Sequence, residues 1–125
     1  MEASVHTTNK LYSLTLLAGG LSHFRELSSL LFNGHANADL TLAAIGIHIV
    51  LLACLFGMQR QLRLAAVGYA IITVTLFLGF PEVTSLGRVA GDASLSSLPA
   101  HVWCGYIVMD AIPIFGTLLT WKTLR

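Results

Sequence analysis

LTLAAIGIHIVLLACLFGMQRQLRLAAVGYAIITVTLFLGF, residues 40–80, decides how the whole chain is read. It holds two apolar runs, 40–58 and 62–80, separated only by Gln59, Arg60 and Gln61. At 1.5 Å of rise per residue each run makes a helix of about 28 Å, enough to cross the hydrocarbon core of a bilayer. So short a connection makes the two helices antiparallel neighbours. Pro81 ends the second run, because proline offers no backbone N–H and disfavours helix in the residue before it.

Working outward, LPAHVWCGYIVMDAIPIFGTLLTW (98–121) is a third run of the same kind. On the N-terminal side LYSLTLLAGGLSHF (11–24) covers only about 21 Å, short for a bilayer. Continuing the helix through RELSSLLF to Phe32 restores the length and carries Arg25 and Glu26 into its outer half; the alternative stops at Phe24 and lays RELSSLLF along the interface. The extended form is adopted here. Arg25 can snorkel to the interface, whereas Glu26 needs a partner or a bound proton. Being adjacent, the two do not share a helical face.

The expected fold is therefore all-α: one polytopic membrane domain over residues 1–125, with four transmembrane helices (11–32, 40–58, 62–80, 98–121) in an antiparallel bundle. Composition agrees. Of 125 residues, 55% are apolar and 10% charged, where a soluble domain carries about a quarter charged residues. The mean hydropathy is +0.77. A net charge of +1, with no basic stripe or zinc-finger spacing, gives no footprint for nucleic acid. The opening MEASVHTTN has an acid and no basic side chain, so it makes a poor signal-peptide start and the first apolar run is expected to be retained.

Basic residues set the orientation. With the N-terminus inside, Lys10, Arg60, Arg63, Lys122 and Arg125 gather on that side, leaving Asp39, Glu82, Arg88 and Asp92 opposite. Short loops biased this way follow the positive-inside rule, with both termini on the cytoplasmic or equivalent inner side. Asp39 is placed to cap the second helix. In the longer connection after Pro81, VTSLGRVAG (83–91) is read as loop with room for a short surface helix. Trp103 and Trp121 suit the two interfaces. Gly19, Gly20, Gly46, Ala53, Gly57, Ala65, Gly68 and Gly105 are small residues that permit close approach between helices.

Few polar groups lie at depth, and these form the site expected from sequence: His23, His48, Tyr106 and Asp110, with Arg25 and Glu26 as polar support. His23 lies about 20 Å from the inner start of the first span and His48 about 12 Å from the outer start of the second, so their depths nearly coincide. Both imidazoles can then face one cavity. Four uses are open: hydrogen-bonded structural histidines, a quinone contact, a small-lipid contact, or paired axial ligands to haem. Asp110 is an isolated carboxylate in mid-span, where charge is expensive. Tyr106 precedes it by one turn, and Pro113 frees a backbone carbonyl nearby. A proton-bearing Asp110 bonded across the bundle is the structural reading; ligand binding and proton transfer are the functional ones. His6, His35 and His101 show no metal-ligand spacing, and Cys54 and Cys104 form no CxxC pair and read as small apolar residues.

Residues 11–80 resemble small four-helix membrane proteins of the DoxX-like class. LTLLAGGLSHF (14–24) and IGIHIVLLACLFGMQRQLRLAAVGYAIITVTLFLGF (45–80) carry the likeness, through Gly20, His23, Gly57, Arg60 and Arg63. The resemblance implies a membrane subunit associated with quinone-linked redox complexes, and supplies no catalytic residues. The function expected is thus a small integral membrane subunit or assembly partner, not itself catalytic. Its partners are lipids and other membrane subunits or further copies of itself. The alternatives are a quinone- or haem-binding redox protein and a small lipid-binding or transport protein acting as an oligomer.

Overall fold

The structure, a computed structural model, describes residues 2–33, 38–84 and 98–125. Among the described residues four helices make an all-α bundle: α1 (Glu2–Phe32), α2 (Ala38–Gln59), α3 (Arg63–Gly79) and α4 (Ala100–Thr120). Short 3₁₀ turns follow α3 at Pro81–Val83 and α4 at Trp121–Thr123. Helix α1 packs against α2 and α4, α2 against α3, and α3 against α4. Two helices, Ala38–Gln59 and Ala100–Thr123 with its terminal turn, are long and apolar enough to cross a membrane; Arg63–Gly79 is a shorter apolar helix.

The first helix runs unbroken to Phe32, as the extended reading requires, and begins nine residues before the expected Leu11. Its continuity settles the fate of the charged pair: Arg25 faces outward and Glu26 is buried. Asp39 departs from expectation. It sits inside the first turn of α2 rather than ahead of it, where a carboxylate still meets the positive end of the helix dipole. His35, Arg88, Asp92 and most of the stretch 83–91 lie outside the described residues, as does the His6 side chain.

Each helix buries one narrow stripe. On α1 the buried positions are Tyr12, Leu16, Gly19, His23, Glu26 and Leu30, alternating steps of four and three. Helix α2 repeats the pattern with Ala44, His48, Leu51, Leu55 and Met58, and α3 with Ala66, Tyr69, Thr73 and Leu76. A mean step of 3.5 residues is the seam of helices packed side by side. Helix α4 joins the seam only from Asp110 onward, through Pro113, Gly116, Thr117 and Thr120.

Some of the small residues do bring helices together, and others do not. A Cβ on Gly19 would collide with the Pro113 ring, one on Gly116 with Thr15, and one on Gly57 would lie 2.7 Å from Ala65 Cβ. Gly20, Gly46 and Gly105 face open space, and Ala53 is exposed, so these four are not close-packing sites. The QRQ connection folds as a Schellman turn: Leu62 N–H donates to Gly57 O and Gln61 N–H to Met58 O, with Gln61 left-handed at φ 62. The C-terminus closes on it. Arg125 donates through its backbone N–H to Gln61 O and through Nη2 to Arg60 O, while Arg63 donates to Trp121 O and covers the Trp121 ring at 4.9 Å.

Gly19→Ala is expected to destabilise the bundle by about 1–3 kcal/mol, the usual cost of overpacking against a rigid neighbour. Gly46→Ala, with nothing near its Cβ, is expected to be neutral or slightly stabilising through helix propensity. Thermal unfolding of the two variants beside the parent protein checks both.

Candidate functional site

The buried stripes converge on a polar cluster contributed by all four helices. The α3 stripe carries Tyr69, wholly buried, whose hydroxyl donates to the backbone carbonyl of Asp110 on α4 at 2.9 Å. That hydroxyl has one proton, and this bond uses it. His23 Nε2 on α1 lies 2.8 Å from the same oxygen, so the imidazole must be the donor there and Nε2 carries a hydrogen. The Asp110 side-chain oxygen stands 3.7 Å from His23 Nε2, beyond hydrogen-bond length but in electrostatic contact.

His48 enters from α2. Its Nδ1 lies 2.7 Å from the Ala44 carbonyl one turn back; a carbonyl can only accept, so Nδ1 carries the hydrogen. The two imidazoles therefore hold different tautomers, each fixed by the bond it makes. Their ring centroids are 5.5 Å apart at an angle of 58°, and Tyr69 meets the His23 ring edge-on at 5.8 Å. The equal depths expected of His23 and His48 are realised as direct ring contact.

A cavity of about 10 Å³ lies in the cluster, bounded by His23, His48, Thr73, Thr84, Asp110 and the apolar Leu51, Leu76 and Phe77. This is the room one water needs. Among the described residues there is no group of three or more His, Cys, Asp or Glu side chains placed to hold a metal ion.

Tyr106, Arg25 and Glu26 belong elsewhere. They line a groove of about 740 Å³ between α1 and the first half of α4, with Leu21, Ser22, Ser29, His101, Val102, Gly105 and Met109. Of the expected site residues, then, His23, His48 and Asp110 come together, while Tyr106 is a half-buried groove residue. The reason is the divergence of the two helices: packed tightly from Tyr12–Thr117 to Gly19–Pro113, they separate beyond that level. Glu26 links the two places, since it lines the groove and its carboxyl is an electrostatic neighbour of Asp110.

Tyr69 and Thr73 were not anticipated as site residues. The available signal is their spacing of four in an otherwise apolar helix, which puts both polar groups on one face. A second polar contact lies deeper along α1 and α4. Thr117 Oγ1 donates to Pro113 O at 2.8 Å, so the Tyr12 hydroxyl, 3.0 Å away, donates to Thr117. Thr120 donates to Gly116 O in the same way. These threonines satisfy themselves within their own helix, as side chains do where water is absent.

No family model, curated protein or solved structure matches the chain.

Tyr69→Phe removes at once the acceptor for His23 Nε2–H and the donor to Asp110 O. Leaving buried polar groups unpaired costs about 1–3 kcal/mol. The variant is expected to unfold earlier by that amount, while Tyr106→Phe, outside the cluster, is expected to stay near the parent; parallel melting curves decide it.

Proposed function

We propose that this chain is an integral membrane protein that crosses the bilayer four times and serves as a non-catalytic subunit or assembly partner of a larger membrane complex. One observation carries the membrane part: the bundle's outer faces are as apolar as its core, while several of its polar groups lie inside. Leu17, Phe24, Phe56, Leu64, Leu78 and Leu119 face outward, with Leu64 and Leu119 each 85% exposed, while His23, Glu26, His48, Thr73 and Asp110 are buried. In water an apolar exterior of this extent drives association, because monomeric soluble proteins rarely expose apolar patches beyond a few hundred Å². In lipid the same exterior is solvated and polar groups held inside are the expected arrangement.

The bundle's charged end supports the orientation. Arg60, Arg63 and Arg125 meet where the QRQ turn joins the C-terminus, which suits an inner, cytoplasmic face. Helix α3, at 17 residues, covers about 26 Å, and the arginines flanking it can snorkel to make up the difference. Two features favour a subunit. Nearly all of the described chain is helix, and α4 from His101 to Met109 has no buried residue, which leaves a helix face for a companion. The resemblance of residues 11–80 to DoxX-like proteins points to the same role.

Reporter fusions at each end are expected to place both termini on the cytoplasmic side. Extraction from native membranes in mild detergent is expected to bring companion membrane proteins down in fixed ratio. A chain that stays folded and monomeric in detergent-free buffer sinks the membrane reading; a membrane-bound chain purified alone at native expression sinks the subunit reading.

A second reading is favoured by the groove: a site for one membrane amphiphile, lipid or quinone. Tyr12–Thr117, Thr15–Gly116 and Gly19–Pro113 set an antiparallel register that brings Ser29 level with Val102, Arg25 with Tyr106 and Ser22 with Met109. Along about 12 Å of helix the lining passes from Ser29, His101 and Arg25 at the outer end to Leu21 and Met109 deeper in. That is the polarity of a headgroup followed by a tail, and the volume lies within the range of small-molecule sites. Arg25→Gln is expected to reduce retention of the bound amphiphile severalfold in native mass spectrometry, lipid extraction and quinone analysis identifying which one is held. Unchanged retention of both removes the reading.

A further inference from the structure

Two buried polar atoms in the cluster make no hydrogen bond of good geometry: His23 Nδ1 on α1 and Thr73 Oγ1 on α3, whose hydroxyl has only a looser interaction with Tyr69 one turn away. Both residues are more than nine-tenths buried, and both line the same water-sized cavity. An unpaired buried polar atom is costly, and two on one cavity point to a common partner. The bonds already made say what that partner must be. Because His23 spends its one hydrogen on Tyr69, its Nδ1 presents a lone pair. A guest there has to donate. Among the described residues no three His, Cys, Asp or Glu side chains are placed together to hold a metal ion, and the cavity has room for one small molecule, so the chemistry is that of a hydroxyl donor the size of water.

We propose that this cavity is a binding site for a single water, which donates to His23 Nδ1, bonds Thr73 Oγ1 and reaches the Asp110 carboxyl, and so forms a proton-exchange path between α4 and α1. With Thr73 and Asp110 beside it, the water has the two to four polar partners that a buried water requires. The exchange balances. A protonated Asp110 gives its hydrogen to the water oxygen as the water passes one of its own to His23 Nδ1, leaving a carboxylate and an imidazolium. The charges so formed remain together, since Asp110 Oδ1 is 3.7 Å from His23 Nε2. Among the described residues the other ionisable groups around the path are His48 and the Cys54 thiol from α2, Tyr69 from α3 and Glu26 from α1. The site lies inside the bundle, so it stands or falls separately from the membrane reading.

Nitrogen-15 magic-angle NMR on the full-length protein in lipid bilayers tests it. The expected spectrum shows His23 protonated at Nε2, unprotonated at Nδ1, with a cross-peak from Nδ1 to water hydrogens. Thr73→Val should abolish that cross-peak and Thr73→Ser retain it, with the His23 tautomer unchanged in both. Asp110→Asn should keep the bound water while slowing hydrogen exchange at His23. A dry His23 Nδ1 in the parent protein, or a cross-peak that survives Thr73→Val, overturns the water site; exchange unaffected by Asp110→Asn overturns the path. Should Thr73→Val fail to fold, the parent spectrum and Thr73→Ser decide the matter by themselves.

Discussion

The Tyr69 hydroxyl is the hub of this bundle. It accepts from α1 through His23 and donates to α4 at Asp110 O, so one oxygen on α3 ties three helices at the level where the fourth brings His48 against the same ring. In a low-dielectric interior such bonds are strong when complete and costly when broken. Their directions also propagate. Because the tyrosine has a single proton, its bond to the carbonyl dictates that His23 donates, and that in turn leaves Nδ1 as the bare acceptor. One backbone carbonyl thereby fixes the tautomer of an imidazole on another helix.

Apolar side chains cover the outer faces as well as most of the seams, and the polar groups on the seams stand among them. Leu, Phe, Ile and Val side chains on the outer faces contribute little to helix association if their surroundings are lipid, because lipid tails are as apolar as they are. What then holds the helices is close contact and internal polar pairing. Both are present and both are local: Gly19 on Pro113 and Gly116 on Thr15 at the tight end of α1 and α4, Gly57 on Ala65 between α2 and α3, and the hydrogen bonds of Tyr12, His23 and Tyr69 across the seams. Where glycine opposes proline or threonine the two helices touch; farther along, a groove lies between them, with open space even beside Gly105.

Much of the fold could be read from the sequence because length and apolarity are properties of a segment, independent of what it packs against. The four helices, their antiparallel order and the continuation of α1 past Arg25 follow from such properties. So does the meeting of His23 and His48, since depth along a helix is set by counting residues. What escaped depends on which way a face points. Gly46 and Gly57 look alike in the sequence of α2, yet only Gly57 meets α3. Tyr106 and Asp110 are one turn apart, which suggests a shared face, but α4 has left the bundle by the level of Tyr106 and only Asp110 reaches the interior. Tyr69 was hidden for another reason: an aromatic ring in an apolar run reads as packing, and its hydroxyl matters only once His23 and Asp110 are known to lie beside it.

Among the described residues two cavities of different character lie along α1 and α4. The cluster cavity, about 10 Å³, has space for a water; the groove, about 740 Å³, has space for a much larger molecule. Glu26 is the residue common to both, lining the groove while its carboxyl is felt by Asp110. Electrostatic forces between buried groups are screened far less than those at a surface. As a sequence feature Arg25 and Glu26 are only an awkward pair of charges in an apolar helix; in the bundle Arg25 is exposed, Glu26 is buried on the α1 seam three residues beyond His23, and both line the groove.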